Sequence, residues 1–449
     1  MKNGLKIFIC LVAFLSIQCS VLANAIDKTI SQFGINKSGI SISVKDVESG
    51  KVVYEQNSKK PTMPASTLKI VTLAASLDSL GKDYKFSTKL YKNTNNELFL
   101  KLSADPFFTS SDLNKMLKTA VENKKILSPK FIYVDDYVLD STEWGEGWQW
   151  DDDLNPLMPK FSSYNIDRNL IGIIVAPTNM NAPANIFTTK FYPITFMNLV
   201  TTGNVNNIII SRNNSISPDI ITVEGTVKKQ QTEFIPVNHP KRYFILRLED
   251  AIRAAKMDYY GKFAQKKVPS SNVYLVAQTD HDMSEAVVEI LKNSNNFVAE
   301  TVFKLAGGKF VNNTGSLNNS QKMLKNYFEK LSLNSDDIKI VDGSGVSKNN
   351  LMTTDFMTDF LSKTEVMNAI KPELPTAGEG TLKNRMLYFK DNLKAKTGTL
   401  SDVSAITGYI TSRSGKTYAF DIMINDPKSK SNDKKSLEEY ILRDVYVNY

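Results

Sequence analysis

Cysteine and histidine are almost absent from this chain: of its 449 residues, two are Cys and two are His. Both cysteines, Cys10 and Cys19, lie in the apolar N-terminal segment, so the remainder has no thiol for a disulfide, a nucleophile or a thiolate metal site. His239 and His281 stand apart in the sequence, which excludes a histidine-rich metal cage and argues against a Ser-His-Asp triad. A hydrolase made from this chain takes its base from another residue type.

Long apolar runs are missing too. The stretch Ile7–Ile17 falls short of the roughly 20 residues a membrane span needs. With Lys2 and Lys6 before it and Ala23-Asn24-Ala25 after it, the segment reads as an export signal cleaved after Ala25. Gln18 ahead of Cys19 argues against a lipid-modified cysteine, so the mature protein is expected to be exported and without a transmembrane anchor. The formal charge is +8, but no basic stripe with interleaved aromatics concentrates it, and nucleic acid is not an expected partner.

What is present is a chain long enough for two or three domains, since single cores stop growing near roughly 250–300 residues. "GISISVKDVESGKVVYEQ", from Gly39, alternates apolar and polar residues on both sides of Glu48-Ser49-Gly50, a hairpin signature. Ser66 to Leu80 is apolar nearly all round and ends at Gly81, which predicts a buried helix with a glycine cap. Near the other end, "LKAKTGTLSDVSAITGYITSRSGKTYAFDIMIN" reads as strands turning at Ser414-Gly415, followed by an amphipathic helix over Ser436 to Val447. Strands from the two chain ends are expected to share one sheet covered by the buried helix. Between them, "FIYVDDYVL", "IGIIVAP", "NNIIISR" and "YFILRL" are short β-rich runs, and Trp144, Trp148 and Trp150 all fall in "EWGEGWQWDDD". This middle reads as a β-rich insertion over 89–268, with the core made of 26–88 and 269–449.

Three short motifs carry chemistry. Ser66 and Lys69 are three apart at the head of the predicted helix, where they share a face and the serine's own N–H stays free. Alone the pair is cheap, for Ser431 and Lys434 repeat the spacing in a polar stretch, and a capped buried helix explains it as well. Lys396-Thr397-Gly398 occurs once, at the start of an expected edge strand; its glycine admits close backbone approach, its lysine supplies charge, and hydroxyls at Thr397 and Thr399 suit a carboxylate. Ser294-Asn295-Asn296 is common as S-x-N but sits on a short connection between two predicted helices, the first being Met283 to Leu291.

S-x-x-K, S-x-N and K-T-G in that order are the signature of penicillin-recognising serine enzymes. More narrowly, the chain resembles the low-molecular-mass class C penicillin-binding proteins, the D-alanyl-D-alanine carboxypeptidase/endopeptidase family. "PASTLKIVT" at Pro64, "GEGWQWDD" at Gly145, "VDGSGVS" at Val341, "LPTAGEGTLKNRM" at Leu374 and "KAKTGTL" at Lys394 carry that resemblance. It implies an α/β fold with a β-lactamase/transpeptidase-like core, an antiparallel sheet covered by helices, with the β-rich insertion between the first and second motifs. It also implies Ser66 as nucleophile, neutral Lys69 as base, and backbone N–H groups of Ser66 and Thr399 as oxyanion donors. Burial and the like charge of Lys396 are expected to lower the Lys69 pKa. Ser294 would pass a proton to the leaving amine, Asn296 would bind substrate amide or steady Lys69, and Thr397, Gly398 and Thr399 would hold the terminal carboxylate.

The implied partners are peptidoglycan stem peptides ending in D-Ala-D-Ala, and β-lactams; no metal or cofactor is implied, and the periplasm is the implied compartment. Two positions depart from the family pattern. Asn295 stands where many relatives have aspartate, and Lys348 follows Ser347 where an arginine often helps recognise the diaminopimelate side chain. Lysine offers charge without a bidentate fork. Asp152, in the Trp-rich stretch, is the candidate acidic partner for a side-chain amine, or an ordinary helix cap or solvated turn. A β-lactamase with the same motifs is the nearest rival, although no E-x-x-x-N-type carboxylate signature lies between Lys69 and Ser294; a noncatalytic wall-binding module on the same fold is the other.

Overall fold

A computed structural model describes residues 25–448. The expected export signal therefore lies, apart from Ala25, outside the described residues.

Two chain-terminal segments build one five-stranded sheet. After a first helix, α1 (25–33), come β1 (Ile40–Asp46) and β2 (Val52–Gln56), and near the end β3 (Leu393–Thr399), β4 (Val403–Thr411) and β5 (Thr417–Asn425). The spatial order is β3-β4-β5-β1-β2 with every neighbour antiparallel, and β1 pairs with β5 from Ile40 opposite Ile424 to Asp46 opposite Tyr418. The hairpin and the shared sheet stand as the residue patterns predict.

Alternation along β5 explains the layers, because successive side chains of a strand point to opposite faces. Tyr418, Phe420, Ile422 and Ile424 enter one core with Leu437, Ile441 and Val445 of the last helix, Ser431–Asn448. That helix begins five residues ahead of the predicted Ser436, so the polar run "SNDKK" is its first turn: Lys434 folds inward and donates to the carbonyls of Asp402 and Asp426. On the other face, Ala419 and Met423 join Ala405 and Tyr409 against α2 (Lys69–Leu80), α3 (Met283–Leu291) and α4 (Asn296–Val311). Lys69 through Ser76 are all buried in α2, and Gly81 closes it at φ +88° with its N–H on Leu77 O. The first turn predicted for this helix is instead a 3-10 turn, Ala65–Leu68, running directly into α2.

Between α2 and α3, Lys85–Asn93 and Val273–Asp282 pair antiparallel, so the chain leaves and re-enters through adjacent strands. They belong to a five-stranded sheet; two three-stranded sheets follow, together with helices Ser110–Glu122 and Pro240–Ala254. This region has its own core, in which Leu90, Ile132, Ile173, Val223 and Phe244 are buried.

Candidate active site

The 3-10 turn presents Ser66 half-exposed between buried neighbours. Ala65 before it is left-handed at φ +48°, a conformation that costs a non-glycine residue about 1–3 kcal/mol and persists only where the surroundings enforce it. Two close approaches do so. A Cβ added to Gly345 would stand 2.0 Å from Ala65 O, and one added to Gly398 would stand 2.9 Å from Ser66 N and Pro64 O. Glycine in the K-T-G motif thus lets the edge strand lie against the nucleophile's own amide.

Lys69 is completely buried, and its Nζ meets three oxygens: Ser66 Oγ at 3.0 Å, Asn296 Oδ1 at 2.7 Å and the Ser344 carbonyl at 2.6 Å. The last two can only accept. A neutral amine has two N–H donors and one lone pair, so these acceptors occupy both donors and leave the lone pair facing the Ser66 hydroxyl. The orientation of the Asn296 amide follows from its other end, where Nδ2 donates to the Leu157 carbonyl of the inserted region at 3.1 Å. Burial pulls the Lys69 ammonium down to about 7, against Asp342 and Glu300, whose carboxylates raise it. Burial first, then the charge of Lys69, holds Lys396 well below its usual value; repulsion between two ammonium groups is mutual.

Lys396 Nζ donates to Ser294 Oγ and to Thr397 O, each at 2.8 Å. Ser294 has φ +57°, the bend between α3 and α4, and Asn295 caps α4 through an oxygen that accepts the Val298 N–H. Asparagine and aspartate serve alike as N-caps, so Asn295 gives α4 the start an aspartate would. β3 is an edge strand whose start is covered by the Thr376/Lys394 bridge, with the Ala395 N–H pointing outward to Pro375 O. Two-residue alternation directs the N–H groups of Thr397 and Thr399 to the same outer edge. The Thr397 hydroxyl donates to Thr381 Oγ1 at 2.7 Å.

The family model for the D-Ala-D-Ala carboxypeptidase 3 (S13) family matches residues 22–443. The chain belongs to that family. Its members are serine-type carboxypeptidase hydrolases. Among curated relatives, the D-alanyl-D-alanine carboxypeptidase of an Actinomadura species is 25% identical over 438 residues, covering 90% of this chain and 81% of that one. DacB of Haemophilus influenzae, also named as a D-alanyl-D-alanine carboxypeptidase, is 23% identical over 416 residues, covering 86% and 85%. The crystal structure of penicillin binding protein 4 from H. influenzae superposes with a TM-score of 0.80 at 21% identity, covering 92% of this chain and all of that one, and so shares the fold.

In this S13 chain Ser66, Lys69, Asn296, Ser294 and Lys396 are brought together from three distant segments, with Thr397 and Gly398 beside them. Lys348 is not in that cluster: its Nζ lies 3.1 Å from Asp402 Oδ2 and from Ser401 Oγ, just past the end of β3. Asp152 ends the short turn Trp150–Asp152, five residues before Leu157. Several residues outside the three motifs hold the site together. Asp342, 1% exposed, accepts from Trp148 Nε1, Gly345 N, Ser347 N and Asn350 Nδ2. Glu300 accepts the N–H groups of Gly343 and Ser344. "VDGSGVS" and "LPTAGEGTLKNRM" held Asp342 and Thr381 in plain view as family stretches. For Glu300 the available signal was its place four residues after Asn296.

Proposed function

We propose that this protein hydrolyses the D-alanyl-D-alanine ends of peptidoglycan stem peptides through an acyl-enzyme on Ser66. The observation that carries this is the pair of obligate acceptors on Lys69, Asn296 Oδ1 and Ser344 O, which leaves the amine lone pair for the serine hydroxyl. Serine is a weak nucleophile until an adjacent base takes its proton.

Neutral Lys69 takes the Ser66 proton as Oγ attacks the carbonyl between the two D-alanines. The N–H groups of Ser66 and Thr399 hold the oxyanion, and Thr397, Gly398 and Thr399 receive the terminal carboxylate along the free edge of β3. Ser294, held by Lys396, relays a proton to the departing D-alanine amine, balanced by the one Lys69 accepted. In the second half Lys69 takes a proton from water, the hydroxide attacks the ester, and the proton returns to Ser66. A cross-linked D-centre as leaving group makes the same chemistry an endopeptidase reaction, and a β-lactam acylates Ser66 in place of the peptide. Lys348 and Asp152 are the proposed contacts to the charged side chain of the stem peptide. We place the reaction in the periplasm after export, and divide the chain into a catalytic core, 26–88 with 269–449, and an inserted region, 89–268, that faces the polymer.

Mass spectrometry after incubation with benzylpenicillin, beside Ser66→Ala, tests the nucleophile, and D-alanine release from a stem pentapeptide tests the substrate. A stable adduct on the peptide containing Ser66, absent in the variant, is expected. Rapid turnover of penicillin without an adduct would read as a β-lactamase, and no adduct on folded protein would sink the acyl-enzyme.

A further inference from the structure

Glu300 stands one turn along α4 from Asn296 and shares its face. It is 3% exposed, and carboxylates are buried only when paired or hydrogen-bonded. Its partners are backbone amides: Oε1 accepts the N–H of Gly343 at 2.9 Å and of Ser344 at 2.8 Å. From the other side Thr72 of α2 donates to the Gly343 carbonyl at 2.7 Å, so the turn is tied to both helices that carry the site. The carbonyl this turn presents to the site is that of Ser344, 2.6 Å from Lys69 Nζ.

We propose that Glu300 is the positioning residue of the lysine base, acting through the Gly343–Ser344 turn to hold the Ser344 carbonyl against Lys69 Nζ. This rests on Lys69 being the base. Without the Ser344 acceptor, one N–H of the amine has no fixed partner, the Nζ group turns freely, and its lone pair is no longer confined to Ser66. Asn296 alone fixes only one of the two donors. An apolar side chain at 300 would fill the space but leave two buried amides without acceptors, so the turn would move to find others.

Reach separates this role from plain packing. The groups facing Lys69 Nζ are Glu300 from α4 and Asp342 from the loop, both favouring the ammonium, with Lys396 on β3 opposing a second positive charge. Lys304, the next charged residue along α4, is engaged by Asp140. Glutamine at 300 keeps an oxygen for both amides, and burial, which pushes the Glu300 carboxyl up to about 8, makes the neutral amide a close stand-in; aspartate keeps the carboxyl but is one methylene too short to reach; alanine loses the acceptor altogether.

The test is the rate of acylation by a fluorescent penicillin across the neutral pH range, on the full mature chain carrying Glu300→Gln, Glu300→Asp or Glu300→Ala. Thermal melts establish folding. Alanine and aspartate are expected to slow acylation by at least roughly tenfold while the dissociation constant of the preceding noncovalent complex stays put. Glutamine is expected to recover most of that rate, because it keeps an oxygen for both amides. A native chain that is never acylated would remove the base itself. With the native chain acylated, a folded aspartate or alanine variant at the native rate overturns the proposal, and so does a glutamine variant as slow as aspartate. If alanine does not fold, the comparison of glutamine with aspartate decides.

Discussion

Lys396 Nζ and Ser294 Oγ stand 2.8 Å apart although 102 residues separate them in the chain. The contact joins the edge strand to the left-handed bend between two helices, and it holds the hydroxyl that the proposed mechanism uses to protonate the leaving amine. Ser294→Ala is expected to lower D-alanine release by about 10²–10⁴-fold, the usual worth of a positioned proton donor. Acylation by a β-lactam should fall as well, with Ser66 still labelled at long incubation. Stopped-flow measurement of both reactions checks this; an unchanged rate of D-alanine release would remove Ser294 from the mechanism.

Acylation should rise with pH through a midpoint near 7, where Lys69 loses its proton. The sign follows from the chemistry, since the ammonium has no lone pair and only the form above that midpoint can act as base. Asn296→Asp places a carboxylate where Oδ1 now lies 2.7 Å from Nζ, and it removes the amide donor to Leu157 O. An adjacent negative charge favours the ammonium, so the rising limb should move to higher pH. Penicillin acylation rates measured against pH for both chains would show the displacement.

Gly398→Ala should cost far more than a methyl group usually does. The new Cβ would meet Pro64 O and Ser66 N at 2.9 Å, and the one element free to yield is the edge strand. Moving β3 outward separates the Thr399 N–H from the Ser66 N–H, and loss of an oxyanion donor is worth about 10²–10³ in rate. Acylation should fall by that order while the melting temperature changes little, because the other four strands keep their pairing.

Trp148→Phe removes the indole N–H that reaches Asp342 Oδ2 at 2.9 Å, while the edge-on contacts with Trp144 and Phe161 are only partly lost. Taking one donor from a buried carboxylate costs about 1–3 kcal/mol. Urea unfolding should show a loss of that size. A slower acylation is also expected, because the loop that Asp342 organises carries the Ser344 carbonyl.

Much of this was legible in the residues. The hairpin, the buried helix ending at Gly81 and the edge strand bearing Lys396 each carry a local pattern, alternation, a cap or a glycine, that needs no distant partner to be recognised. The start of the last helix was not, because Lys434 reads as a solvated charge until the carbonyls of Asp402 and Asp426 are placed around its ammonium. The carboxylates that raise the Lys69 pKa, Asp342 and Glu300, were hidden for the same reason: they lie far from it in the chain.

The sequence by itself determined which groups exist for chemistry: a chain without cysteine beyond Cys19 and with two scattered histidines leaves lysine as the base, and three ordered motifs name which lysine and which serine. Tertiary structure alone decided how they are held. The Leu157 carbonyl that turns Asn296, the Ser344 carbonyl that takes one N–H of Lys69, and the glycine clearance between Gly398 and Ser66 belong to backbone. Every residue carries the same backbone groups, so no residue type marks where one will be aimed; only the packing of distant segments against one another does that.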